Sequence, residues 1–191
     1  MKDDPVWLTP LLQAARQVRA HAHAPYSRFA VGAAVMDEQG QVHAGCNVEN
    51  AAYPQGWCAE TSALAAMVSA GGRRVAAVVV VGEAADPVTP CGGCRQKLRE
   101  FADDDCPIIV ADGQRVRARF TLGQLLPVSF GPQHLGVGLD PSRDPNSGPN
   151  GDPGGGPQAD AHPDTRPDTH LDARADVSSD ASADTGPATA P

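Results

Sequence analysis

Apolar residues recur at Trp7, Leu8, Leu11, Leu12, Ala15, Val18 and Ala22, the spacing of one helix face, with Thr9-Pro10 near its start. The pattern then changes to two strands, 29–36 and 41–46, joined by the turn Asp37-Glu38-Gln39-Gly40. Residues 59–70 are rich in Ala, carry Leu64, Met67 and Val68 on one face, and stop at Gly71-Gly72, which predicts a second helix. The continuous run 75–81 has the character of a strand buried on both faces of a sheet. After Pro90 an amphipathic helix is expected over about 91–102, burying Leu98 and Phe101. Strands follow at 107–111 and 115–120 around the turn Asp112-Gly113-Gln114, and Thr121 caps a short helix over 122–126. Helices interleaved with strands in this order predict the α/β class. The expected architecture is a three-layer α/β/α sandwich on a five-stranded mixed sheet.

Composition divides the chain after Leu135. Every Phe, Tyr, Trp, Cys and Met falls within 1–135, which holds enough apolar material for one core and is expected to be the only folded domain. Residues 136–191 contain ten Asp, no Glu and three Arg, a net −7 of the −8 carried by the whole chain. Pro recurs at every fourth position from 141 to 157, and Asp does so from 160 to 184. The prolines forbid a helix and helical winding would stack the Asp charges, so a solvated, disordered, low-complexity tail is expected. Calcium or partner binding is the competing reading of the tail, although the Gly-rich nonapeptide period of calcium repeats is absent.

Charge and cysteine usage narrow the function. Met1-Lys2-Asp3-Asp4-Pro5 is not followed by the apolar run of a signal peptide, and 75–81 falls far short of the ~18 residues of a membrane span. Five Cys, two of them spaced as Cys91-Gly92-Gly93-Cys94, suit metal or redox chemistry in a reducing cytoplasm better than a disulfide framework. Residues 1–135 hold 12 Lys and Arg against 13 Asp and Glu with no basic stripe, which argues against nucleic acid as a partner.

Two short segments carry candidate chemistry, Cys58-Ala59-Glu60 and Pro90-Cys91-Gly92-Gly93-Cys94, each at the expected start of a helix. Helix N-termini favour thiolate over thiol. Cys91 and Cys94, one turn apart, can point at one ion, and Cys58 from the other helix would complete a three-thiolate Zn2+ site. Three protein ligands leave the fourth position open, the mark of a catalytic rather than a structural zinc. Glu60, two residues after the first ligand, can reach water at that position and move protons without binding the metal. A lone C-x-x-C would be a weak signal; combined with C-x-E about thirty residues upstream it is a strong one.

These segments resemble the small cytidine deaminases. The likeness covers roughly 25–135 and includes Pro25-Tyr26-Ser27, Phe29-Ala30-Val31-Gly32-Ala33-Ala34, Gly45-Cys46-Asn47-Val48-Glu49-Asn50-Ala51, both metal segments with Arg95-Gln96 following, and Ser129-Phe130-Gly131-Pro132. The resemblance implies deamination of cytidine and deoxycytidine in pyrimidine salvage. It also implies that Asn47 and Glu49 hydrogen-bond the ribose, that Phe29 packs beside the nucleoside, and that the backbone near Ala59 and Thr89 reads the base edge. Phe130 would stack on the pyrimidine from a neighbouring subunit, in a homotetramer with shared active sites. Many relatives carry Arg after C-A-E where this chain has Thr61, so Arg95 is expected to compensate the charge of the zinc thiolates.

Plainer readings stand beside several of these. Cys46 and Cys106 read as small buried hydrophobes, and the six His as surface or packing residues. Glu49 alone would be a solvated strand-end charge, Phe130 a core plug, and Trp57 a wall beside the first ligand. A blasticidin-type modified nucleoside is an alternative substrate, a non-catalytic zinc protein an alternative class, and a functional acidic tail anchored by the domain a third reading.

Overall fold

The chain runs α1 (Leu8–Arg19), β1 (Val31–Asp37), β2 (Val42–Cys46), α2 (Ala59–Ser69), β3 (Val75–Gly82), α3 (Gly92–Arg99), β4 (Pro107–Ala111), β5 (Val116–Thr121) and α4 (Leu122–Leu125). Single 3-10 turns lie at Tyr53–Gln55 and Pro132–Leu135. This computed structural model describes residues 4–136, so the expected acidic tail lies, beyond Gly136, outside the described residues.

The five strands pair in the order β2-β1-β3-β4-β5, parallel between β3 and β4 and antiparallel elsewhere, which makes the sheet mixed. Strand alternation sorts the side chains into two layers. Ala33, Val35, Val78, Val80 and Ile108 share one core with Ala63, Leu64 and Met67 of α2, Leu98 of α3 and Leu122 of α4. Ala34, Ala77, Val79, Val81 and Ile109 face the other way, onto Leu8, Leu11 and Ala15 of α1. The central β3 is therefore covered on both faces, and Val78, Val79, Val80 and Val81 are each fully buried. Each such side chain stabilises the fold by about 1.5–3 kcal/mol. The expected sandwich is the observed one.

Two glycines bring the layers close enough to fix the site. A Cβ on Gly32 of β1 would stand 2.1 Å from the Ala15 carbonyl oxygen of α1, and one on Gly45 of β2 would stand 2.4 Å from the Ala63 nitrogen of α2. The N-terminus of α2, which carries Cys58 and Glu60, is thus seated directly on the sheet.

The ends of elements differ from expectation for local reasons. After Arg19 the chain tightens into three-residue bonds, from Ala20 N–H to Gln17, His21 N–H to Val18 and Ala22 N–H to Arg19, so α1 stops short of Ala22. The same tightening at Glu100 and Phe101 ends α3 at Arg99. Phe29 lies outside β1 because Arg28 adopts a positive φ of 58° and the Phe29 N–H turns back to the Ser27 hydroxyl. Among the described residues no helix is long and apolar enough to cross a membrane.

Candidate metal centre and active site

Cys58 and Cys91 occupy the positions just before α2 and α3, in extended backbone with ψ of 155° and 166°, and Cys94 lies one turn into α3. Neither cap sulfur accepts a hydrogen bond from its own helix, so both are free to face a common centre. The three Sγ atoms lie within 4.8 Å of one another. Cys58 Sγ and Cys91 Sγ are 3.8 Å apart. Two sulfurs about 2.3 Å from a tetrahedral ion would stand about 3.8 Å apart, so the spacing fits zinc. Among the described residues this is the one group of three or more His, Cys, Asp or Glu side chains able to share an ion, and no fourth protein ligand joins it. The donor set therefore fits one Zn2+ per subunit with an open position. The six His contribute no described ligand.

Glu60, in the first turn of α2, is only 4% exposed. Its Oε2 accepts from the Cys94 thiol at 3.4 Å. Burial raises its pKa, against smaller lowering influences from its own backbone N–H, the Cys94 hydrogen bond and the Lys97 charge. A carboxyl held this way exchanges protons near neutrality more readily than a solvated one. The Cys94 hydrogen bond also lowers the Cys58 pKa, while the same pairing raises that of Cys94. The Thr61 hydroxyl lies 3.8 Å from Cys94 Sγ.

The segment that holds Asn47 and Glu49 pairs with the chain leading into Cys58. A short bridge ties them to the metal segment: the N–H groups of Val48 and Trp57 each donate to the other's carbonyl at 2.8 Å, one residue from both Asn47 and Glu49 and from Cys58. On the other side the Glu49 N–H donates to His23 O at 2.7 Å and the His23 N–H to Asn47 O at 3.0 Å. Asn47 Oδ1 accepts the Val31 N–H at 2.8 Å and its Nδ2 donates to Phe29 O at 2.9 Å, which leaves one amide hydrogen available. Glu49 accepts the Tyr26 N–H at 2.9 Å and the Ser27 hydroxyl; that hydroxyl bond, ahead of desolvation acting the other way, keeps its carboxyl below the usual range. Tyr26, Ser27, Glu49, Asn50, Tyr53 and Gly56 line a cavity of about 410 Å³, within the range of small-molecule sites.

A larger cavity, about 500 Å³, opens between α2 and α3 behind the thiols, lined by Trp57, Thr61, Leu64, Val68, Lys97 and Phe101 among others. Its walls are mostly apolar. The smaller cavity takes its polar groups from Ser27, Glu49 and Asn50. Ala59 is fully buried at the start of α2, where N–H groups lack intrahelical partners. The Thr89 N–H donates to Pro87 O at 3.1 Å, and its hydroxyl accepts from Arg95 at 3.0 Å.

Phe29 and Phe130 are 38% and 57% exposed, so neither is a core plug. Phe130 stacks on His134 with centroids 5.0 Å apart, and Gln96 Nε2 holds its carbonyl at 3.0 Å. Arg95 is placed differently from a residue touching the thiols: it donates to Pro90 O at 2.7 Å, Leu125 O at 2.9 Å and Thr89 Oγ1 at 3.0 Å. It braces the turn that presents Cys91. Sequence reasoning passed over Ser27, Gln96 and Lys97. The first two sit inside quoted motifs without an assigned role, and Lys97 had no local signal because its neighbours come from α2.

Three sulfurs at two helix starts, an open fourth position and a buried carboxyl beside them define a zinc-dependent hydrolytic centre. The sequence profile described as the cytidine and deoxycytidylate deaminase zinc-binding region matches residues 5–110. A cytidine deaminase from Sporosarcina psychrophila is 38% identical over 125 residues, covering 65% of this chain and 92% of the relative. One from Mycobacterium tuberculosis is 44% identical over 117 residues, covering 61% and 84% respectively. The crystal structure of cytidine deaminase from Burkholderia pseudomallei superposes with a TM-score of 0.61 at 42% identity, covering 64% of this chain and 98% of that one. The chain belongs to the cytidine and deoxycytidylate deaminase family.

Proposed function

We propose that this protein hydrolytically deaminates cytidine and 2′-deoxycytidine to the uridine nucleosides, releasing ammonia, in pyrimidine salvage. The observation that carries this is the buried Glu60 carboxyl 3.4 Å from Cys94 in a three-sulfur centre. A structural zinc has no use for such a group. When bound, zinc supplies the Lewis acidity that brings the pKa of a water toward neutrality. Glu60 takes the proton released as water adds at C4 and passes it to N3; it then carries the remaining proton of the new C4 hydroxyl to the amine, so that the C4 carbonyl forms as the C4–N bond breaks and ammonia leaves. Cys58, Cys91 and Cys94 hold the metal.

Asn47, Glu49 and Phe29 receive the ribose, and backbone at Ala59 and Thr89 orients the base edge. Support for this assignment is the hydrogen-bonded bridge linking Val48 to Trp57, which couples the sugar-binding segment to the first ligand. Phe130 stacks on the pyrimidine of a neighbouring subunit in a homotetramer, a role supported by its exposure. Arg95 offsets thiolate charge from behind the Pro90–Cys91 turn. Five free thiols among the described residues suit the cytoplasm. Residues 1–135 form the catalytic domain and 136–191 an appended acidic tail.

Zinc-loaded protein incubated with cytidine, deoxycytidine, their 5′-monophosphates and a blasticidin-type nucleoside tests the substrate assignment. Turnover of the two free nucleosides, with the monophosphates poor, is expected. Turnover of the modified nucleoside alone would replace the assignment.

A further inference from the structure

We propose that Lys97 is a second cation, beside Arg95, that helps to balance the three-thiolate centre, acting across the α2–α3 cavity as an outer partner of the bound metal. This rests on the zinc reading above. Three thiolates around a divalent ion leave a net −1, and an ionised Glu60 adds to it in a buried setting, so the centre needs positive charge nearby. Arg95 supplies part of it from behind the Pro90–Cys91 turn, but its guanidinium donates to three neutral oxygens, those of Pro90, Leu125 and Thr89, rather than to a sulfur.

Lys97 sits on α3 three residues after Cys94, the interval that places two side chains on one helix flank. It lines the same cavity as Thr61, whose hydroxyl lies 3.8 Å from Cys94 Sγ, and as Trp57, the neighbour of Cys58. Leu64, Val68 and Phe101 make those walls apolar, and Lys97 is exposed among them, so its field on the centre is open to screening by salt. Glu100 is the one carboxylate lining this cavity. The Lys97 ammonium has no hydrogen bond or ion pair among the described residues, so its charge is not already neutralised by a direct partner.

The test compares full-length parent, Lys97→Ala, Lys97→Arg and the double variant Lys97→Ala/Thr61→Arg, each shown to be folded by circular dichroism. Zinc affinity is read by competition with a chromogenic chelator at low and high ionic strength. Lys97→Ala should hold zinc about tenfold more weakly at low salt, the size of effect expected for an outer partner. The gap should narrow at high salt. Lys97→Arg should match the parent, and the Thr61→Arg guanidinium, entering the same cavity, should restore most of the loss. Parental affinity in Lys97→Ala, an equal loss in Lys97→Arg, or a gap insensitive to salt would overturn the proposal. A parent that binds no zinc would instead overturn the zinc reading, and this inference with it.

Discussion

Replacing Gly45 with Ala tests whether the seat of α2 on β2 sets both stability and catalysis. The added methyl carbon would lie 2.4 Å from Ala63 N, 2.5 Å from Ser62 Cβ and 2.6 Å from Ser62 C. Ordinary carbon contacts need ~3.5–4.0 Å, so the helix must withdraw by about 1 Å. Two of the three clashing atoms are backbone and cannot swing aside as a side-chain tip would. Over-packing of this kind costs about 2 kcal/mol, or about 8 °C in Tm for a domain of this size. Cys58 and Glu60 ride on the displaced end, and a misplacement of about 1 Å can lower kcat by about 100-fold. Thermal unfolding by circular dichroism and kcat on cytidine with excess zinc are the assays. Gly93→Ala is the matched control, because a Cβ there meets nothing within 4 Å. It should unfold no earlier than the parent. A Gly45→Ala protein with stability within about 0.5 kcal/mol of the parent and unchanged kcat would refute the reasoning.

Three further outcomes are expected. Asp37 is buried, which by itself raises its pKa, but the His43 hydrogen bond at 2.8 Å and the Gln41 and Gln39 N–H groups outweigh that and lower it. The stabilisation it provides is therefore present above an unfolded pKa of about 3.9 and lost as pH falls through the lower folded value. Asp37→Asn should be less stable than the parent at pH ~7 and show a smaller acid-side loss in a urea unfolding series, whereas parallel curves would contradict this. Thr121 and Gln124 form a reciprocal capping box at α4, so Thr121→Ala should cost about 1 kcal/mol in urea unfolding. Deleting the chain after Leu135 should leave kcat and sedimentation-defined assembly unchanged, and loss of either would give the tail a function.

The strands and layers were legible because burial imposes a period of two that amino-acid type reports directly. The continuous run ending at Val81 announced a strand covered on both faces, while in β1 Ala33 and Val35 feed one core and Ala34 and Met36 the other. The three sulfurs were legible for a different reason: thiols at helix starts are scarce and their spacing is restrictive. Helix ends were less legible, since three-residue winding after Arg19 and Arg99 carries no distinctive sequence mark. Arg28 also gave no warning of its positive φ, and that turn is what frees Phe29 from the strand. Arg95 and Lys97 show the limit most clearly. Their charges are plain in the sequence, yet the oxygens Arg95 bonds and the cavity Lys97 lines depend on α2, α4 and the loop at Pro90 coming together in space.

The most direct measurement follows the ultraviolet absorbance of cytidine with the purified full-length protein and with Glu60→Gln, alongside zinc content per chain. About one zinc in each protein, disappearance of the cytidine absorbance with the parent, and a rate at least ~100-fold lower with Glu60→Gln are expected. A zinc-loaded parent that leaves cytidine and deoxycytidine untouched, or a Glu60→Gln protein as fast as the parent, would contradict the assignment.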